Sequence, residues 1–199
     1  MITMTNEGMS AEEYKARSER SAKLILWFAM ISMTMMFAGL TSAFVVSKSR
    51  KDWLQNFDMP TAFYASTVAI LLCSVFMFMA KRSIKQDNRQ ATTVFLLGTL
   101  LLGGAFVALQ FYGFGQIIQQ GYYFTGPASN VTTTFLYIVA ITHLAHLGGG
   151  IISLLVIIYK HFKQKYNASQ TLGIELGATY WHFLDFLWLY LFLFLTFFK

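Results

Sequence analysis

The sequence predicts an all-α, polytopic membrane protein, a single bundle of five transmembrane helices. Three observations carry that prediction. Only 12% of the 199 residues are charged and 56% are hydrophobic, with a mean hydropathy of +0.52, whereas soluble domains carry about 25% charged residues. Five apolar runs, at about 22–46, 61–80, 92–118, 132–159 and 178–198, are each long enough to cross a bilayer, which takes about 20 helical residues at ~1.5 Å each. The runs are continuous, whereas barrel strands are segments of ~10 residues that alternate apolar and polar. The polar stretches are too short for a separate soluble domain. The chain therefore divides into a polar N-terminal segment, 1–21, and a five-helix transmembrane domain, 22–199. No short apolar core with a cleavage site follows the polar start, so the first run is expected to stay in the membrane.

The net charge of +6 does not describe a nucleic-acid surface, because the basic residues gather at the ends of the apolar runs. Eleven lysines and arginines flank the spans on one side and four on the other. The positive-inside rule then places the N-terminus in the cytoplasm and the C-terminus outside, in the periplasm of a bacterial cell. The single cysteine, Cys73, can close no internal disulfide and reads as a small core residue.

Taken in order, the segment before Lys23 mixes acidic and basic residues and is expected to extend the first helix or lie at the interface. In the first span Ser32, Gly39 and Ser42 share a stripe, which reads as close helix packing. Met30, Met33, Met35 and Met36 read as flexible packing and not as copper ligands, since no His or Cys accompanies them. Trp27 and Trp53 fall near span ends, where indoles are common. Pro60 opens the second span, where its missing N–H costs little. Thr67 and Ser74 share a face there, from which a hydroxyl can reach a carbonyl one turn earlier or a neighbouring helix. In the third span Thr99, Gly103, Gln110 and Gly113 form one stripe, and the Gln110 amide requires partners, so this stripe is expected to face the bundle. The uncharged loop 116–131, with Gly121, Gly126 and Pro127, is expected to form a short ordered cap. Asn130-Val131-Thr132 matches a glycosylation sequon, a short and unspecific match.

The fourth span carries His143 and His146 on one stripe with Val139 and Gly150, followed by Gly148, Gly149 and Gly150. The fifth carries His182 and Asp185, three apart on one face. An ionisable group at that depth costs at least ~2.5–3.5 kcal/mol on insertion scales, so it must face protein. Two histidines one turn apart can hold a metal or haem, but no cysteine or carboxylate joins them on their helix. The favoured reading is a buried polar network joining His143, His146, His182 and Asp185, with Gln110 as a further member. No nucleotide loop, metal set or nucleophile–base pair is present, so no catalytic residue and no metal ligand is assigned to this chain.

Together these motifs resemble subunit III of the haem–copper respiratory oxidases, in its five-span bacterial form. His143-Leu144-Ala145-His146 with Gly149 and Gly150 is similar to that family's H-x-x-H-x-x-G-G element. Glu175, then Tyr180-Trp181-His182-Phe183-Leu184-Asp185 and Trp188, are similar to its closing Y-W-H-F-V-D-x-x-W element, with Leu184 in the valine place. The likeness runs from about 22 to 198. Two departures stand out: Met33 and Gly113 occupy positions that are often Glu in the family. Many members also have two further spans at the start, and the family's lipid-filled cleft lies between those two and the rest.

The resemblance implies a non-catalytic subunit of the bacterial plasma membrane. It implies packing on the catalytic subunit I beside subunit II, with small subunits or a respiratory supercomplex as further partners. Phospholipid would bind between helices, and haem and copper would sit in the partner subunits. The complex would reduce dioxygen to water while translocating protons. The alternatives are an accessory subunit of a nitric oxide reductase, a quinol oxidase subunit, a transporter, and a haem-binding cytochrome. A transporter would show repeats and broken helices. A haem protein would show a Soret band.

Overall fold

The computed structural model describes residues 11–54, 59–126, 129–167 and 170–198. Among them lie five α-helices: α1 (Ala11–Val46), α2 (Thr61–Lys85), α3 (Arg89–Gln119), α4 (Val131–Phe162) and α5 (Leu172–Phe197). No strand is present among the described residues, and all five helices are long and apolar enough to cross a membrane. Many large apolar side chains, among them Ile25, Leu101, Phe111 and Phe186, point outward. In a helical bundle of this hydropathy that outer surface is the one lipid covers.

The helices overrun the apolar stretches. α1 continues back to Ala11 through the charged segment, so no structural break falls at 21. Residues 1–10 lie outside the described residues. α5 begins at Leu172, six residues before the fifth apolar run. Glu175 lies in its first turn, where it meets Lys85 at the end of α2, Oε1 to Nζ 2.7 Å.

The ends are built by local backbone chemistry. α2 closes with Asp87 in the left-handed region (φ 55°), its N–H donating to the Ile84 carbonyl while the Asn88 N–H donates to Ser83. The same pair of bonds ends α3 around Gly121 and α4 around Gln164. This is the Schellman arrangement, which satisfies carbonyls that a helix end leaves open. Asn88 caps α3 by accepting from the Ala91 N–H at 3.1 Å. Asn130, the sequon residue, caps α4 by accepting from the Thr133 N–H at 2.9 Å. Its side chain thus has a structural task in the fold. Pro60 precedes α2 as expected. Gly126 in the uncharged loop has φ 101°, and Pro127 lies outside the described residues.

α2 and α3 form the closest antiparallel pair, α5 lies against α1, α2 and α4, and α4 also packs on α3. α5 fills the centre with Trp181 and Trp188, both fully buried and two turns apart on one face. The close approaches are made by glycine: a Cβ on Gly103 would stand 3.0 Å from the Trp181 ring, and one on Gly113 would stand 2.9 Å from Phe63. The α3 stripe of Thr99, Gly103, Gln110 and Gly113 is buried throughout, as the spacing predicts.

α1 differs from that pattern. Its stripe of Ser32, Gly39 and Ser42 is exposed, and nothing among the described residues lies within 4 Å of a Cβ placed on Gly39. The expectation that this stripe packs helices is not met inside the chain. The reason is that Met30, Phe37, Thr41 and Phe44 are the α1 side chains turned inward. Of the four α1 methionines, Met30 is buried whereas Met35 and Met36 are exposed.

Candidate functional site

The polar groups the sequence singles out lie along the contacts of α5 with α2 and α4, and of α3 with α2. Each helix presents them because lipid tolerates no unpaired polar group on the outer face.

On α5, His182 Nδ1 lies 2.7 Å from the Ser74 hydroxyl of α2. One turn later Asp185, 3% exposed, points toward the same part of α2. Its carboxyl group faces the same Ser74 hydroxyl without reaching close hydrogen-bond geometry among the described residues. Cys73, beside it on α2, donates to the Thr99 carbonyl of α3 at 3.3 Å. Two turns beyond His182 the Trp188 indole N–H donates to Thr67 Oγ1 at 3.0 Å, while that hydroxyl donates to the Phe63 carbonyl at 2.8 Å. Both uses foreseen for the α2 hydroxyls are therefore made, back to the preceding turn and across to a neighbour.

On α3, Gln110 is fully buried and its Nε2 donates to the Ser66 hydroxyl at 2.9 Å. On α4, His143 is fully enclosed, its ring 5.2 Å from the Trp188 ring, with Phe37 and Phe106 set edge-on around it. Neither of its nitrogens meets a hydrogen-bond partner among the described residues. His146 turns Nδ1 onto the Thr142 carbonyl of its own helix at 2.8 Å. The Tyr180 hydroxyl donates to the His146 carbonyl at 3.0 Å, tying α5 to α4. Gly150 lies under Tyr180, Trp181 and Leu184, and Gly149 lies under the Tyr180 hydroxyl.

The single network expected among His143, His146, His182, Asp185 and Gln110 is not how the bonds run. These five do not bond one another. α2 packs on both α3 and α5, so its hydroxyls at 66, 67 and 74 reach the amide, indole and imidazole before the other helices do. Ser66 is the partner that sequence reading missed. A lone mid-span hydroxyl was its only signal. His161 at the end of α4 was missed as well: it is buried, with Nε2 2.9 Å from the Thr93 hydroxyl. Among the described residues, no three His, Cys, Asp or Glu side chains stand in an arrangement that could hold a metal ion.

What this arrangement can do is join helices. Interhelical bonds in membranes are each worth about 0.6 kcal/mol on average, so their number and direction fix register more than they add strength. The departures read in the sequence have a place in the same packing. Gly113 leaves no room for a carboxylate, because the Phe63 ring already occupies the space a side chain would need.

A family model described as cytochrome c oxidase subunit III matches residues 4–199. The chain is 26% identical to the cytochrome c oxidase subunit 3 of Bacillus sp. (strain PS3), covering 94% of this chain and 93% of that one. It is 25% identical to the cytochrome c oxidase subunit 3 of Bacillus subtilis (strain 168), covering 94% and 92%. It is 27% identical to the probable quinol oxidase subunit 3 of Staphylococcus aureus (strain USA300), covering 85% of each.

Proposed function

Because the chain belongs to the cytochrome c oxidase subunit III family, we propose that it serves its oxidase as a non-catalytic scaffold in a bacterial plasma membrane. It is the multi-pass subunit III of a haem–copper oxidase. In this reading it packs on the catalytic subunit I beside subunit II, carries phospholipid, and leaves haem, copper, electrons and oxygen to those partners. Small subunits or a respiratory supercomplex complete its surroundings. Its N-terminus lies in the cytoplasm and its C-terminus in the periplasm, which the excess of lysine and arginine on one side supports. The five-helix domain 22–199 works as one unit, with 11–21 as its helical extension.

One observation carries the scaffold reading. Where the side chains of the family motifs and of Gln110 form hydrogen bonds, those bonds run to groups of the fold. His182 meets Ser74, Trp188 meets Thr67, Tyr180 meets the His146 carbonyl, and Gln110 meets Ser66. Glu175 meets Lys85. His143 is walled in by Phe37, Phe106 and Trp188. These residues act on their own bundle, and through it on whatever the bundle supports.

The test is purification from native membrane through a tag on this chain. A catalytic haem–copper subunit should be recovered with it, and the chain released from that complex should show no Soret band. Recovery of the chain alone, or a haem spectrum that stays with it, rejects the proposal. A quinol oxidase is the second reading, favoured by the relative so named in Staphylococcus aureus. Turnover of the recovered complex with cytochrome c against quinol separates the two.

A further inference from the structure

The Gln110 amide is oriented by the hydroxyl it meets. Ser66 Oγ donates its proton to the Phe63 carbonyl at 2.9 Å, so toward Gln110 it can only accept. The amide therefore turns its nitrogen to Ser66, Nε2 to Oγ 2.9 Å, and its oxygen away. That oxygen, Oε1, is fully buried and has no hydrogen-bond partner among the described residues. An amide oxygen only accepts, so what it needs is a donor.

His143 has a complementary need. Both of its ring nitrogens are buried and without a partner among the described residues, and a neutral imidazole offers one N–H and one bare nitrogen. The two side chains flank the same pair of rings. Phe106 sets its ring 6.1 Å from that of His143 and precedes Gln110 by one turn on the buried stripe of α3. The Trp188 ring lies 5.2 Å from both His143 and Phe106. Its N–H is held by Thr67, the neighbour of Ser66 on α2. Gln110 and His143 thus approach one region of the core, from α3 and from α4, without bonding each other. Both are 0% exposed, so no side chain of a partner and no lipid reaches them. The group that serves them must be small, and it must both donate and accept. Buried polar groups left over by a fold are met by bound water, about one molecule per 27 residues. The other unpartnered buried groups stand elsewhere: Asp185 faces Ser74, and Trp181 lies against Gly103 and Gly150, two turns before Trp188.

We propose that one bound water joins Gln110 on α3 to His143 on α4 in the middle of the bundle, donating to Gln110 Oε1 and bonding one nitrogen of His143. Ser66, Gln110, the water and His143 then form a continuous string across α2, α3 and α4. The link between Gln110 and His143 expected from the sequence is made at one remove. It adds a tie at mid-span to the one that Thr93 and His161 make at the end of α4. Phe37, Phe106 and Trp188, set around His143, wall the water off from lipid. This deepens the scaffold reading and rests on it for the membrane setting.

The experiment is a cryo-electron microscopy map of the intact complex, purified through a tag on this chain, at a resolution that shows ordered water. A peak should stand about 2.7–3.2 Å from Gln110 Oε1 and from one nitrogen of His143. No peak, where Phe106, Gln110, His143 and Trp188 are sharply defined, overturns the proposal. So does a direct bond between amide and imidazole. In Gln110→Met and in His143→Phe the peak should be lost, and each should lower the midpoint of unfolding in SDS. The double variant should shift the midpoint by clearly less than the sum of the two, because either change alone already releases the water. Ser74→Ala, outside the site, should keep the peak. Additive shifts, or a peak that persists in Gln110→Met or His143→Phe, overturn the proposal, and if a variant does not fold the map of the unaltered complex decides. The catalytic subunit is scored in the same preparation: its absence counts against the oxidase reading, whereas a missing peak counts against the water alone.

Discussion

Replacing Thr67 with valine tests whether the motif residues hold the bundle by hydrogen bonds or by shape. Trp188 is 1% exposed, and its indole N–H donates to Thr67 Oγ1 at 3.0 Å. Valine keeps the branched outline of threonine and removes the acceptor. The N–H is then buried without a partner, which costs about 1–3 kcal/mol. Loss of an average interhelical bond would cost only about 0.6 kcal/mol, so the measured value separates a stranded donor from a merely missing bond. Trp188→Phe is the control. It removes the donor, and the Thr67 hydroxyl still bonds the Phe63 carbonyl at 2.8 Å. Its cost, roughly 3 kcal/mol or less, comes from the space left beside Phe63, Phe106 and His143. In the double variant the stranded donor no longer exists, so Thr67→Val should add almost nothing to Trp188→Phe. The cycle should show a coupling equal to that single cost, about 1–3 kcal/mol. Unfolding of the purified chain in mixed detergent and SDS, followed by tryptophan fluorescence, measures all four forms. Effects that add to within about 0.3 kcal/mol would refute the reasoning, because they would mean that the indole finds other partners at no cost.

Three further outcomes follow from the same geometry. Ser66→Ala should strand the Gln110 amide and destabilise α2 against α3 by about 1–3 kcal/mol in the same assay. Ser74→Ala should weaken the bundle more than Asp185→Leu does, because the Ser74 hydroxyl is the group that His182 bonds at 2.7 Å and that the Asp185 carboxyl also faces; retention of the chain in the complex under graded SDS reports the order. Gly113→Leu should prevent α2 from closing on α3, seen as loss of the chain from purified membranes, whereas Gly39→Leu should leave the chain's own stability unchanged.

The spans were legible because hydrocarbon demands continuous apolar runs, and the burial of Gln110 followed from the cost of an amide in that setting. The ends were not legible in the same way. α5 starts at Leu172 because Glu175 meets Lys85 from another helix, a contact between residues 90 apart that no local pattern announces. The left-handed closures at Asp87 and Gln164 use residues other than glycine, so their turns carried no glycine signal. The polar pairing was half legible. Periodicity showed which residues share a face, and so which face inward. It does not show which neighbouring helix offers the partner, and for His182, Trp188 and Gln110 that helix is α2. The outward stripe of Ser32, Gly39 and Ser42 shows the same limit, since small residues mark a surface made for close approach without saying whose.

The neighbours of α1 set an order of assembly. It rests chiefly on α4 and α5, which follow α2 and α3 in the chain. A nascent chain growing at about 5–20 residues per second reaches the start of α4 only some 4–17 seconds after α1 is complete. During that interval α2 and α3 can already zip together across their tight turn, while α1 drifts beside them with no surface to settle on. Its Phe37 and Thr41, inward in the finished protein, meet lipid tails until then. Of these five helices α1, though made before the other four, is therefore the last to find its seat, and a product that stops before α4 should leave it adrift for any membrane protease to find.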